Sequence, residues 1–188
     1  QGWRSRAAFK LIELDDRFHL IQPGMRVVDL GAAPGGWTQV AVKRGASNVV
    51  GVDLLPVDPV SGATILEGDF NDPDLPDKLT ELLGGPADLV LSDMAPNTTG
   101  HAPTDHLRIL GLAELALDFA LKVLAPGGTF VAKVFQGGSE KQMLEPMKHA
   151  FATVRHAKPP ASRQASSALS EVPTGFRPER VLPQPPAE

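Results

Sequence analysis

The sequence contains no cysteine. Disulfides, zinc–thiolate sites, iron–sulfur clusters and thiol nucleophiles are excluded together. It has no unbroken apolar run near the roughly 20 residues that span a bilayer, and no leader of the signal-peptide kind is read at its start. It has no basic excess either: 18 Lys and Arg stand against 22 Asp and Glu, a net charge of −4, which weighs mildly against a nucleic-acid partner. What is present, 188 residues of which 42% are hydrophobic and 21% charged, suffices for one soluble domain with its own core.

The charge is unevenly placed. From Asp53 to Asp118 there are 13 acidic residues against Lys78 and Arg108, whereas residues 1–10 carry Arg4, Arg6 and Lys10 with no acid. Residues 141–163 add Lys141, Lys148, Arg155, Lys158 and Arg163 against Glu145. The two basic segments form one positive patch if the fold joins them; ordinary solvated helix faces are the plainer reading.

Apolar spacing over residues 5–19 predicts a leading helix with Ser5 as N-cap. Arg26 to Gly31 reads as a buried strand, Ala32-Ala33-Pro34-Gly35-Gly36 as a loop and Trp37 to Arg44 as a helix. Further strands are predicted at Asn48–Asp53, Ala63–Leu66, Ala87–Leu91, Thr129–Phe135 and Phe151–Ala157, with helices near Asp74–Leu83, Asp105–Leu124 and Ser139–His149. Residues 95–104 read as a loop, and Pro126-Gly127-Gly128 as a stop. Alternating strands and helices predict a mostly parallel α/β sheet with helices on both faces. Residues 1–175 are taken as one domain. Seven of the 18 prolines lie between Pro159 and Pro186, so residues 176–188 are read as a disordered tail.

A glycine loop between strand and helix lets backbone approach a ligand closely. Dinucleotide folds require G-x-G-x-x-G, but Gly31-Ala32-Ala33-Pro34-Gly35-Gly36 has alanine at the second glycine, and Pro34 removes an amide donor, so a nicotinamide fingerprint fails. Asp29-Leu30-Gly31-x-x-x-Gly35 instead resembles the first motif of S-adenosylmethionine-dependent methyltransferases. Asp53, Asp69 and Asp93 each follow a predicted strand, where ligands of open α/β sheets bind. Asp53 is placed to accept from ribose hydroxyls and Asp69 from an adenine amino group; each alone is also an ordinary turn or cap residue.

Taken together, Ser5-Arg6-Ala7-Ala8-Phe9-Lys10-Leu11, Val28 through Trp37, Asp53-Leu54-Leu55-Pro56, Gly68-Asp69-Phe70, Ser92-Asp93-Met94-Ala95-Pro96-Asn97 and Ala125 through Gly137 resemble the FtsJ/RrmJ family of ribose 2′-O-methyltransferases, in order across residues 4–175. The resemblance implies a Rossmann-like class I fold of seven-strand type. It implies cofactor contacts from Gly31, Gly35, Gly36, Trp37, Asp53, Asp69 and Asp93, and a catalytic Lys-Asp-Lys-Glu set carried by Lys10, Asp93, Lys133 and Glu171. For Trp37, core packing is the alternative to a place beside S-adenosylmethionine.

A ribose hydroxyl must lose its proton as it attacks the sulfonium methyl. A lysine serves as base only if its pKa falls well below the usual value near 10.4. Lys133 is taken as that base, with Lys10 lowering its pKa, Asp93 holding the amine and Glu171 bonding the ribose or the lysines. His101 and His106 read as surface residues, so no metal is expected. The resemblance further implies a cytoplasmic, monomeric enzyme acting on a uridine of large-subunit ribosomal RNA, within the assembled subunit. The alternatives are 2′-O-methylation of another RNA, or a cofactor- and RNA-binding module with impaired catalysis. One departure stands out: Glu171-Val172 meets Pro173 almost at once, and since proline cannot donate to a ladder, the last strand is expected to be shortened or lost, leaving Glu171 without a fixed place. The start of the chain lies close to the first motif, which reads as a truncated or processed N-terminus.

Overall fold

The computed structural model describes residues 2–94, 102–135, 139–158 and 168–181. The leading helix α1 spans Ala7–Phe18 and ends on His19 in the left-handed region, whose N–H bonds Asp15 O at 2.8 Å. Its N-cap is Arg6, without a side-chain cap. The expected cap, Ser5, turns its hydroxyl toward Gly36 so closely that a Cβ there would lie 2.5 Å from it. Then follow β1 (Arg26–Leu30), α2 (Gly36–Lys43), β2 (Asn48–Asp53), β3 (Thr64–Glu67), α3 (Leu75–Leu83) and β4 (Ala87–Ser92). After them come α4 (Ala102–Val123), β5 (Leu124–Phe135), α5 (Ser139–Ala150), β6 (Phe151–Ala157) and β7 (Ala168–Phe176).

The seven strands form one sheet in the order β3-β2-β1-β4-β5-β7-β6. Pairings among the first five are parallel, and β7 runs antiparallel to both neighbours. The expected mostly parallel sheet with helices on both faces is therefore present. One face packs Val28, Leu30, Phe130, Ala132 and Val134 against α3, α4 and α5. The other packs Val27, Leu89, Leu91 and Val131 against α1 and α2. Alternation along each strand assigns a residue to one core or the other.

Three expectations need correction. Pro126-Gly127-Gly128 does not precede β5 but lies inside it, where the ladder to β4 jumps from Ala87↔Leu124 to Leu89↔Thr129; Gly127, at φ +82°, supplies the left-handed bulge residue. The last strand is neither short nor lost: β7 runs nine residues through Pro173. Its ladder to β5 ends at Ala132↔Glu171, while pairing to β6 continues to Phe176, so Pro173 sits where β7 has a ladder on one side only, a place proline tolerates. Residues 176–181, read from the sequence as part of the tail, are packed on the fold. Phe176 is buried against Phe151 with ring centroids 5.6 Å apart, and Arg177 donates to the Lys148 carbonyl at 2.7 Å ahead of a 3-10 turn at Pro178–Arg180. Of the loop expected at 95–104, residues 95–101 lie outside the described residues and 102–104 already belong to α4.

Candidate active site

The parallel strands end on one edge of the sheet, and the glycine loop after β1 crosses that edge. Gly31 has φ +72° and Gly35 φ +120°, both in the region that L side chains avoid. The loop is docked on β2: the Gly31 and Ala32 amides donate to Val52 O at 2.8 and 3.0 Å, and Ala33 N–H to Asp53 Oδ2 at 2.8 Å. The other oxygen of Asp53 accepts from Leu55 N–H at 2.9 Å. One carboxylate thus joins the loop to the turn after β2. Beneath the loop Asp29 is buried and accepts from Thr38 Oγ1 at 2.8 Å. Burial pushes its carboxyl up to about 7; the Thr38 bond opposes this and the charges of Asp93 and Asp53 add to it.

Arg4 is a residue whose role its sequence context does not announce. Its guanidinium donates to Pro34 O at 3.2 Å, Asp58 O at 2.6 Å and Pro59 O, while its backbone N–H reaches Gln39 Oε1 at 2.9 Å. The segment before α1 is thereby tied to the glycine loop, to α2 and to the β2–β3 connection. Trp37 belongs to the core and not to the pocket surface. It is 4% exposed, lies in the α1–α2 core, and donates Nε1–H to Ala7 O at 2.7 Å, which clamps α1 against α2.

Asp53 at the end of β2 and Asp93 just after β4 are partly buried on either side of β1, whereas Asp69 is exposed and accepts from the Asn71 backbone N–H at 2.9 Å. A rim of carboxylates repels a pyrophosphate. It suits a ligand with hydroxyls to donate and a cationic sulfonium, so the residues present fit S-adenosylmethionine.

Lys10 and Lys133 meet at Asp93. Lys10, from α1, places Nζ 3.5 Å from Asp93 Oδ1; Lys133, from β5, places Nζ 4.0 Å from the same oxygen. All three side chains retain between 21% and 29% exposure, so the cluster opens to solvent and to an acceptor. Burial pushes the Lys10 ammonium below its ordinary value; Asp93 opposes that and the charge of Lys133 reinforces it.

Glu171 does not join them. It pairs in register with Ala132, and its neighbour Ser170 pairs with Lys133. Alternation therefore carries the Glu171 side chain to the face of α5, opposite to Lys133. There it is fully buried, with His156 Nδ1 2.5 Å from Oε2 but outside hydrogen-bond geometry, and neither oxygen has a hydrogen-bond partner among the described residues. Burial pushes it up to about 7, against the lowering influence of His156 and with a further push from Glu140. Ser170 stands opposite Lys133 in the ladder, buried, with its hydroxyl lacking a hydrogen-bond partner among the described residues.

The second basic segment is divided between two places. Lys141 and Lys148 are exposed on α5, on the face away from α1. Among the described residues Arg155 reaches α1, its guanidinium 4.8 Å from the Phe18 ring centroid. Ala95-Pro96-Asn97, His101, Gln136-Gly137 and Arg163 lie outside the described residues, and His106 falls on α4.

A model of the FtsJ-like methyltransferase family matches residues 3–175. A protein of Gluconobacter oxydans (strain 621H) named ribosomal RNA large subunit methyltransferase E is 75% identical over 182 residues, covering 97% of this chain and 68% of its own length. A Granulibacter bethesdensis protein of the same name is 75% identical over 178 residues, covering 95% of this chain and 77% of its own. The crystal structure of a ribosomal RNA methyltransferase from Plasmodium falciparum matches with a TM-score of 0.81 at 28% identity, covering 93% of this chain and 98% of that one.

Proposed function

The chain belongs to the FtsJ-like methyltransferase family, and from that membership we propose that it carries a methyl group from S-adenosylmethionine to the ribose 2′-hydroxyl of a uridine in large-subunit ribosomal RNA. It is an RNA methyltransferase. No helix among its described residues is long and apolar enough to cross a membrane, in keeping with work on cytoplasmic ribosomal subunits. The observation that carries the reading is the convergence of Lys10 and Lys133 on Asp93 Oδ1 at the end of the sheet where the glycine loop lies.

S-adenosylmethionine supplies an electrophilic methyl group on a sulfonium. The glycine loop and Asp53 would hold the donor, with Asp69 at the rim. Lys133 takes the proton of the 2′-hydroxyl as the oxygen attacks, and Asp93 orients its amine. Base catalysis of this kind contributes about 10²–10⁴-fold, the remainder coming from alignment. A second reading exchanges the two lysines. Because burial and the Lys133 charge both favour the neutral Lys10 amine, Lys10 takes the proton and Lys133 stabilises charge on Asp93 and the acceptor.

The deciding experiment incubates the protein with methyl-labelled S-adenosylmethionine and large subunits lacking the modification, with free ribosomal RNA and tRNA in parallel. Label mapped to a 2′-O-methyluridine of the subunit supports the reading. Label only in tRNA overturns the acceptor, and cofactor binding without label on any RNA overturns the activity in favour of a binding module.

A further inference from the structure

Glu171 leaves a physical question that methyl transfer does not answer. A fully buried carboxylate with no hydrogen-bond partner is strongly disfavoured unless a charge or proton compensates it. Two further donors face it. His156 lies directly across the β6–β7 ladder in register, and Glu140 comes from the first turn of α5, the helix that covers this face through Met143 and Met147. One ligand atom from each of Glu140, His156 and Glu171 lies within 4.8 Å of the others.

We propose that Glu140, His156 and Glu171 form a binding site for a divalent cation of the zinc class, on the face of the sheet opposite the methyl-transfer site. One imidazole and two carboxylates are a donor set that zinc accepts, with a fourth position left for water. The two carboxylates also bring the negative charge that a dication neutralises. Access comes from the His156 side, which is 38% exposed, while Glu171 closes the inner end. Zinc bonds of about 2.1 Å in tetrahedral geometry set neighbouring ligand atoms about 3.4 Å apart, so the His156–Glu171 contact of 2.5 Å opens by an outward rotation of the imidazole. The cation would join α5 to β6 and β7, and through the Ala132↔Glu171 pair it would stiffen the strand beside Lys133. No metal was expected from the sequence, because the three donors are separated along the chain and meet only through the antiparallel pairing at the sheet edge.

Calorimetric titration of the full chain with zinc chloride near neutral pH tests this, alongside His156→Ala, Glu140→Gln and Glu171→Gln. The expected result is one equivalent bound by the wild type, an affinity lower by at least about tenfold in each variant, and a zinc-dependent rise in melting temperature that His156→Ala abolishes. Should Glu171→Gln fail to fold, the two less buried variants decide. No binding, or unchanged affinity in His156→Ala and Glu140→Gln, overturns the site. Displacement of zinc by an equal concentration of magnesium overturns the assigned class of cation.

Discussion

Replacing Arg4 by alanine separates two accounts of the basic N-terminal segment. If Arg4 contacted RNA phosphate, its loss would weaken RNA binding in a salt-dependent way and leave the methyl donor alone. The structure engages its guanidinium with three carbonyls instead, at Pro34, Asp58 and Pro59. These bonds are solvent-accessible, so each contributes about 0.5–1 kcal/mol, and together about 2 kcal/mol, to keeping the glycine loop against the β2–β3 connection. A loss of that size in loop ordering corresponds to roughly 10–30-fold in cofactor dissociation constant. Arg4→Ala is expected to show that loss by calorimetry, with KM for the donor raised, kcat little changed and a melting temperature lower by a few degrees. Arg4→Lys restores little, since an ammonium cannot fan across three carbonyls as a planar guanidinium does. Unchanged donor affinity together with weakened RNA binding in Arg4→Ala would refute the reasoning.

Other outcomes follow from the same geometry. Lys133→Ala should lower methyl transfer about 10²–10⁴-fold with donor binding intact; a larger loss in Lys10→Ala, with disappearance of the limb along which the rate rises with pH, would assign the base to Lys10. Asp29 holds its proton up to about 7 in the folded chain against an ordinary 3.8. Its contribution to stability is therefore full below about pH 4 and is lost as the pH rises toward 7, by a few kcal/mol at most. Urea melts of the wild type should fall across that window, and Asp29→Asn should flatten the fall; parallel curves would exclude Asp29 as its source. Ser170→Ala removes a buried hydroxyl that has no hydrogen-bond partner among the described residues, so it should leave stability equal or up to about 1 kcal/mol higher. A destabilised variant in thermal melts would mean that Ser170 has a partner.

The strand–loop–helix unit at residues 26–43 was legible because its hydrophobic run, glycines and helix lie within one short stretch. Asp53, Asp93 and Lys133 were legible as strand-end or strand residues of chemical type, and Lys10 through its motif. Glu171 was misplaced for a reason no local pattern reveals. Which face it takes depends on whether residue 170 or 171 stands opposite Lys133, and a shift of one residue exchanges the faces. Pro173 misled for a related reason: its effect depends on how far β5 extends alongside β7, a property of the assembled sheet. The partners of Arg4 lie as far as residues 58 and 59, and nothing near position 4 marks them. Trp37 reads equally well as pocket or core until its indole is seen to bond Ala7 O.

The segment that leads into the sheet does two things at once. Through Arg4 it closes on the donor loop, and a few residues later it delivers Lys10 to Asp93. A donor seated on that loop and an acceptor seated at Lys10 would be held by one and the same segment, so loosening it at Arg4 is expected to disturb the binding of both.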